Sequence, residues 1–204
     1  MVDYLKETIE TYNNNAQAFE HSRASFAQHS VIEHFCSLIS GENILDLGCG
    51  PGRDARIFVD KGYTVTGIDL SQELLQIAQA NVPEATFLLM DMRDLSLPDH
   101  QFDGVWASAS LLHLKKEDIS VVLNNLYRVL KPGGVLYISV KEGNSEEIEN
   151  DPRLGGGSRF FSYHTAQQMR EYIENVGFHI IEINESESHN ALRTWNWITL
   201  LAKK

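Results

Sequence analysis

Residues 43–50 read Asn-Ile-Leu-Asp-Leu-Gly-Cys-Gly and put an acidic side chain and a glycine loop where a strand meets a helix. The apolar part of this run predicts a short buried strand. The glycines at 48, 50 and 52 let the backbone turn tightly and bring its amides close to a ligand. Asp46 ends the predicted strand, so its carboxylate can point into the same crevice. A carboxylate there suits a ligand that carries a cation and hydroxyl groups.

The glycine spacing separates two kinds of nucleotide-binding motif. The dinucleotide fingerprint Gly-x-Gly-x-x-Gly would need its third glycine at position 53, which is Arg53. The run instead resembles the first motif of the class I S-adenosylmethionine-dependent methyltransferases. In that family the loop holds the methionine end of the cofactor, which implies roles for Asp46, Gly48, Cys49, Gly50 and Gly52. A glycine-rich turn without a ligand and a hydride-transferring enzyme stay open as alternatives.

A second acidic residue, Asp69, ends the second predicted strand, 19 residues after Gly50. A carboxylate at this place can accept two hydrogen bonds from a ribose diol. Acids at strand ends also often cap the next helix, but Ser71 is the better N-cap candidate here. We therefore expect Asp69, with its neighbour Leu70, to contribute to the cofactor site.

Further positions match the family in their order along the chain. The resemblance places the carboxylate of Asp91 on the adenine amino group and Met92 along the adenine face. A polar strand end beside a packed methionine is the alternative interpretation. Ala107, at the end of the fourth predicted strand, completes the predicted cofactor residues. The resemblance covers most of residues 40–141.

Methyl transfer from a sulfonium is an in-line displacement with a neutral thioether leaving group. An electron-rich nucleophile then needs little beyond alignment and the exclusion of water. A general base is required only for a hydroxyl or ammonium nucleophile. His113 and Tyr163 are the two candidates for a catalytic role. His113 follows the fourth predicted strand, although a histidine within Leu-Leu-His-Leu is also commonly a packed residue.

The acceptor side must come from residues outside these motifs. Tyr12 lies in a segment that resembles the N-terminal lid of small-molecule methyltransferases, where a tyrosine closes over the cofactor. A helix packed on the sheet edge is the alternative. The stretch 142–164 predicts an irregular, mobile loop that forms part of the acceptor wall. A hydrophobic anchor for that loop is the other interpretation. The predicted substrate-binding residues are Arg159, Tyr163, His164 and Arg193.

The composition restricts the class of partner. The chain has 204 residues, 43% hydrophobic and 22% charged, as expected for one soluble domain. The net charge of −11 argues against nucleic acid as a partner. We find no membrane-length apolar run, no signal pattern and no disulfide framework, and therefore expect a cytoplasmic protein. The eight histidines show no metal-ligand cluster, so no metal site is predicted.

Strand and helix patterns alternate from residue 43 onward, which predicts an α/β fold with a parallel sheet covered on both faces. Helices are predicted before it at 4–20 and 25–39. The resemblance implies a Rossmann-like, doubly wound, seven-stranded sheet that is mostly parallel. Its last strand, 195–202, would insert antiparallel between strands five and six.

We expect a single methyltransferase domain over residues 1–204. It would comprise an N-terminal helical lid (1–40), a cofactor-binding core (41–141) and a substrate-side part (142–204). The resemblance implies methyl transfer from S-adenosylmethionine to a small molecule, with S-adenosylhomocysteine as product, by a monomer or homodimer. Two alternatives stay open: a methyltransferase acting on protein or RNA, and a non-catalytic S-adenosylmethionine-binding sensor or partner subunit.

Overall fold

The computed structural model describes residues 4–23, 29–151, 157–189 and 194–204. Three helices precede the sheet: α1 (Tyr4–Asn14), α2 (Ala16–Arg23) and α3 (His29–Leu38). The sequence predicts one helix over 4–20, whereas the structure interrupts it at Asn15. The side-chain amide of Asn15 donates to the carbonyl of Thr11 (2.9 Å). This local bond competes with a continuous helix.

Strands and helices then alternate as predicted. The strands are β1 (Asn43–Leu47), β2 (Thr64–Asp69), β3 (Thr86–Leu89), β4 (Phe102–Ser108) and β5 (Leu130–Lys141). The helices between them are α4 (Arg53–Asp60), α5 (Gln72–Asn81) and α6 (Lys116–Val129), and a 3₁₀ turn, Leu111–His113, follows β4. The remaining elements are β6 (Glu146–Asp151), β7 (Gly157–Ser162), α7 (Ala166–Val176), β8 (His179–His189) and β9 (Thr194–Lys203).

The main sheet has seven strands in the order β3-β2-β1-β4-β5-β9-β8. Strands β1 to β5 are parallel, and β9 runs antiparallel to both of its neighbours. The predicted fold class is therefore confirmed, including the antiparallel insertion of the last strand. Because the carboxyl ends of parallel strands meet at one edge, the residues that follow β1, β2, β3 and β4 converge there.

Apolar side chains cover both faces of the sheet. On one face α3 and α4 pack over an aromatic group in which the rings of Trp106 and Tyr137 stack at 3.9 Å. On the other face α6 and α7 bury a larger aliphatic layer. The indole Nε1 of Trp106 donates to Asp54 Oδ2 (2.9 Å), so this buried aromatic residue also holds a side chain beside the glycine loop.

The stretch 142–164 differs from the sequence prediction. Instead of an irregular loop it contains an antiparallel hairpin in which β6 pairs with β7, with Glu149 opposite Arg159. Opposite charges on facing strand positions stabilise such pairing. Acidic residues are depleted in strands, so the composition of β6 does not predict a strand there. Residues 152–156 lie outside the described residues, and the mobility of the stretch stays a prediction.

α1 lies across the carboxyl edge of the sheet and is held there by contacts with the hairpin. The backbone amide of Phe160 donates to Thr8 Oγ1 (2.9 Å), and Thr11 Oγ1 donates to the carbonyl of Ser158 (2.7 Å). The rings of Tyr4 and Phe160 lie 4.5 Å apart. These contacts make α1 a roof over the strand ends.

His164 follows the hairpin and is fully buried, with Nε2 2.9 Å from Ser162 Oγ. Burial lowers the pKa of His164 from 6.5 to about 4. The neutral ring of the folded state therefore stabilises the protein above pH 6.5, and this stability is lost as the pH falls toward 4. Between pH 7 and pH 4, the unfolding free energy of the unchanged protein should fall by roughly 3 kcal/mol more than that of the His164→Gln variant. Urea unfolding at the two pH values measures this difference.

The Ser162→Ala variant is the control, because it removes the hydrogen bond and keeps the imidazole. Its unfolding free energy should fall with pH as steeply as that of the unchanged protein. Parallel pH curves for the unchanged protein and the His164→Gln variant would contradict the assignment.

Candidate functional site

The loop after β1 turns back along the sheet edge in a conformation that needs glycine. Gly48, Gly50 and Gly52 have positive φ angles of 73°, 53° and 81°. The amide of Gly48 donates to the carbonyl of Ile68 (2.8 Å), which anchors the loop to the end of β2. A Cβ at Gly48 would lie 2.5 Å from the Cβ of Ser110. A larger residue there would push the loop away from the strand ends.

Asp69 connects this loop to the following helix. One carboxylate oxygen accepts from the amide of Gly50 (2.9 Å), and the other accepts from the amide of Ser71 (2.9 Å). Ser71 Oγ accepts from the amide of Leu74 (3.2 Å), so the predicted N-cap of α5 is confirmed. Burial raises the pKa of Asp69, and the backbone amides partly oppose this rise. The carboxylate is therefore held in one orientation at the strand end.

Asp46 presents a buried oxygen to the same edge. The residue is 3% exposed, and no hydrogen bond reaches its Oδ2 within the described part of the chain. Burial, followed by the charge of Asp54, raises the pKa of Asp46 well above its ordinary value. A cationic ligand group near Oδ2 would supply the missing partner and favour the ionised form.

One cleft joins these groups, with about 1070 Å³ of empty space that includes open solvent. Of the residues that the sequence singles out, it is lined by Tyr12, Asp46, Gly48, Cys49, Gly50, Asp69, Leu70, Asp91, Met92 and His113. Gly52 and Ala107 are not among the lining residues. Gly52 packs behind the loop against Ala78, and Ala107 is fully buried in the sheet. Residues 108–110, at the end of β4 and directly after it, line the cleft instead.

The sequence motifs do not identify the face of α1 that covers the cleft. Leu5, Thr8 and Ile9 line it together with Tyr12, and Phe19 of α2 closes one side. Positions 5, 8, 9 and 12 lie on one face of a helix. This spacing could have indicated the whole face rather than the tyrosine alone.

Tyr12 and His113 meet at the mouth of the cleft. Nδ1 of His113 lies 2.7 Å from the carbonyl of Phe160, which can only accept a hydrogen bond, so Nδ1 carries the proton. In the neutral ring Nε2 is then an acceptor, and the Tyr12 hydroxyl lies 2.9 Å from it. Arg159 Nη1 donates to the same hydroxyl (2.8 Å). This chain of contacts joins α1, the turn after β4 and the hairpin.

The other predicted acceptor residues lie away from the cleft lining. Arg159 is buried and donates to the hydroxyl of Tyr12, which lines the cleft. The hydroxyl of Tyr163 donates to Glu149, which also pairs with Lys141 (3.2 Å). His164 is fully buried, and its backbone amide donates to the carbonyl of Lys141 at the end of β5 (3.1 Å). Arg193 lies outside the described residues.

Two classes of site find no support in the described ranges. No group of three or more histidine, cysteine, aspartate or glutamate side chains there could hold a metal ion. The described helices include none that is long and apolar enough to cross a membrane.

Comparison with known proteins identifies the family. Residues 44–134 match the family described as "Methyltransferase domain". A solved S-adenosylmethionine-dependent methyltransferase from Methanosarcina mazei shares the fold with a TM-score of 0.78 at 22% identity, over 88% of this chain and 99% of that chain. Residues 44–134 therefore form a methyltransferase domain, and the class I S-adenosylmethionine-dependent methyltransferase family predicted from the sequence is confirmed.

Two curated relatives extend the comparison. YqeM of Bacillus subtilis, named as a methyltransferase, is 43% identical over 109 residues, which are 51% of this chain and 44% of that protein. The malonyl-[acyl-carrier protein] O-methyltransferase of Salmonella typhimurium is 31% identical over 152 residues, 72% of this chain and 59% of that protein. The chain thus spans about half the length of the curated relatives it matches.

The substitution Asp69→Asn tests whether this carboxylate binds the cofactor. We expect Asp69→Asn to weaken binding of S-adenosylhomocysteine about 10- to 100-fold, because the charged acceptor is lost. Folding should lose only about 1–3 kcal/mol, since one amide loses its acceptor while Ser71 still caps α5. Calorimetric titration and urea unfolding measure the two effects. Asp60→Asn, at an exposed aspartate on α4, is the control, and an unchanged affinity in Asp69→Asn would mean that another group holds the ribose.

Proposed function

We propose that this protein transfers a methyl group from S-adenosylmethionine to a small-molecule acceptor. The observation that carries the proposal is the convergence of three carboxylates, those of Asp46, Asp69 and Asp91, on one cleft beside a glycine loop. S-adenosylmethionine carries an ammonium group, a ribose diol and an adenine amino group. The three acids supply one acceptor for each of these donors.

The cleft offers carboxylate acceptors for the donor groups of the cofactor. The buried Oδ2 of Asp46 suits the ammonium group of the methionine end, with the loop of Gly48 to Gly50 around the rest of that end. Asp69 is held by two amides and keeps further acceptor capacity for the ribose hydroxyls. Asp91 and Met92 would contact the adenine edge and face. When bound, the cofactor supplies an activated methyl group on a sulfonium with a neutral leaving group.

The chain's own contribution to the chemistry is alignment and exclusion of water. The face of α1 with Leu5, Thr8 and Ile9 covers the cleft, and Tyr12 fixes α1 to His113. With Nδ1 directed at the carbonyl of Phe160, the lone pair of His113 Nε2 accepts from the Tyr12 hydroxyl. For a hydroxyl or ammonium nucleophile we assign this nitrogen as the proton acceptor once the nucleophile has displaced that hydroxyl. An electron-rich carbon or sulfur nucleophile would not need it.

A small-molecule acceptor is favoured over RNA by the net charge of −11, which opposes binding to phosphate. The roof formed by α1 also leaves a covered cleft rather than an open surface for a macromolecule. The acid-rich site is intact, which favours catalysis over a purely sensory role.

The relative from Salmonella typhimurium is named for a small malonyl group held on a carrier protein. Such a tethered acceptor is a second candidate.

Ligand binding provides the first test. S-adenosylmethionine at a hundredfold excess over its dissociation constant should stabilise the folded protein by about 2.7 kcal/mol through mass action. For a chain of this size the expected rise in melting temperature is about 5–10 °C. NAD should produce no shift, because the dinucleotide glycine spacing fails at Arg53. A shift with NAD and none with the sulfonium compound would end the methyltransferase proposal.

The acceptor class requires an activity measurement. S-adenosylmethionine labelled in the methyl group should transfer label to the small-molecule fraction of a cell extract when the protein is added. The Asp46→Asn variant is the negative control. Label in the protein or RNA fraction would instead favour the macromolecular alternatives. Cofactor binding without transfer to any fraction would favour the non-catalytic one.

A further inference from the structure

Asp91 is held by a single arginine two residues further along the chain. The backbone amide of Arg93 donates to Oδ1 (2.9 Å), its Nε approaches both carboxylate oxygens (3.1 and 3.0 Å), and its Nη2 donates to Oδ2 (2.7 Å). Asp91 lines the cleft between Met90 and Met92. The guanidinium therefore fixes the plane of the carboxylate that faces the cleft.

The opposite side of this guanidinium is held from outside the cleft. Arg93 Nη1 lies 3.6 Å from Asp118 Oδ2, near the start of α6. The hydroxyl of Tyr4, the first residue of α1, donates to the same oxygen (2.9 Å). A continuous path of polar contacts thus leads from the roof helix through Asp118 and Arg93 to Asp91.

We propose that Arg93 is a positioning residue that makes the site selective for a 6-amino purine, and that Asp118 and Tyr4 couple this selectivity to the docking of α1. The inference rests on the proposed function, because the purine is that of S-adenosylmethionine. Arg93 acts through Asp91 and need not touch the cofactor.

The acceptor capacity of the carboxylate explains the selectivity. A carboxylate offers about four acceptor directions, and three N–H groups of Arg93 already use most of them. The direction left open can take one further N–H donor. Burial raises the pKa of Asp91, but hydrogen bonds from Arg93 and its charge outweigh this, and the net pKa is lowered. An ionised carboxylate attracts the adenine amino group and repels a carbonyl oxygen at the same ring position.

A purely structural role for Arg93 would have a different signature. Its side chain is 33% exposed and that of Asp91 is 27% exposed, so the pair lies at a partly solvated surface. Ion pairs in such places contribute little to folding. Loss of Arg93 should therefore change ligand selectivity more than stability.

The test compares S-adenosylhomocysteine with S-inosylhomocysteine, in which a 6-oxo group replaces the 6-amino group. Calorimetric titration of the unchanged protein should give about 100-fold tighter binding of the adenosyl compound. Arg93→Gln should reduce this preference at least about tenfold, mainly by weakening the adenosyl compound. Arg56→Gln is the matched control, because Arg56 is also 33% exposed and pairs with Asp60 and Glu84 away from the cleft.

The outcomes separate this inference from the proposed function. If the unchanged protein fails to bind S-adenosylhomocysteine, the proposed function falls. If it binds that compound but shows no preference over the inosyl compound, or if Arg93→Gln keeps the full preference, the role of Arg93 is overturned. A reduced preference in both the Arg93→Gln and Arg56→Gln variants would also overturn it.

A double-mutant cycle tests the link to α1. Tyr4→Phe removes one hydroxyl and should weaken binding of S-adenosylhomocysteine several-fold when Arg93 is present. The same change in the Arg93→Gln background should have a clearly smaller effect, because the path is already broken. Equal effects of Tyr4→Phe in both backgrounds would overturn the coupling between α1 and Arg93.

Discussion

The carboxylate of Asp69 is the contact on which the site depends most. It accepts the amides of Gly50 and Ser71 and so joins the glycine loop after β1 to the start of α5. Both segments belong to parallel strands whose ends would otherwise be connected only through the sheet. Because the loop amides are committed to this carboxylate and to the carbonyl of Ile68, the crevice between β1 and β2 has a defined shape before any ligand enters.

A second constraint comes from the roof over that crevice. Polar contacts with the hairpin and with His113, together with the ring contact between Tyr4 and Phe160, hold α1 in place. The contacts at the two ends of α1 differ. Tyr12 reaches His113 in the turn after β4, whereas Tyr4 reaches Asp118 on α6. This short helix is therefore attached near both of its own ends.

Acidic and cationic side chains lie on different elements around the cleft. Acidic groups lie at or just beyond the ends of β1, β2 and β3, where the proposed cofactor would bring its ammonium and sulfonium charges. Cationic Arg159 and Lys141 lie on the hairpin and at the end of β5. Both approach the ring of Phe161, at 4.9 Å and 3.6 Å, and this ring also contacts His113. The acidic groups thus line the cleft, whereas these two cations lie outside its lining.

The sequence alone determined the elements whose signals are local. The alternation of strand and helix, the glycine loop and the cap at Ser71 follow from patterns within a few residues, and the resemblance supplied the antiparallel insertion of the last strand. Only the tertiary structure decided what covers the cleft. The hairpin pairs acidic β6 with β7, Ser108 to Ser110 replace Ala107 at the wall, and Arg93 clamps Asp91. The hairpin's place over the cleft depends on contacts between distant segments, and the clamp on Asp91 depends on side-chain direction. The residue types in a local pattern encode neither of these.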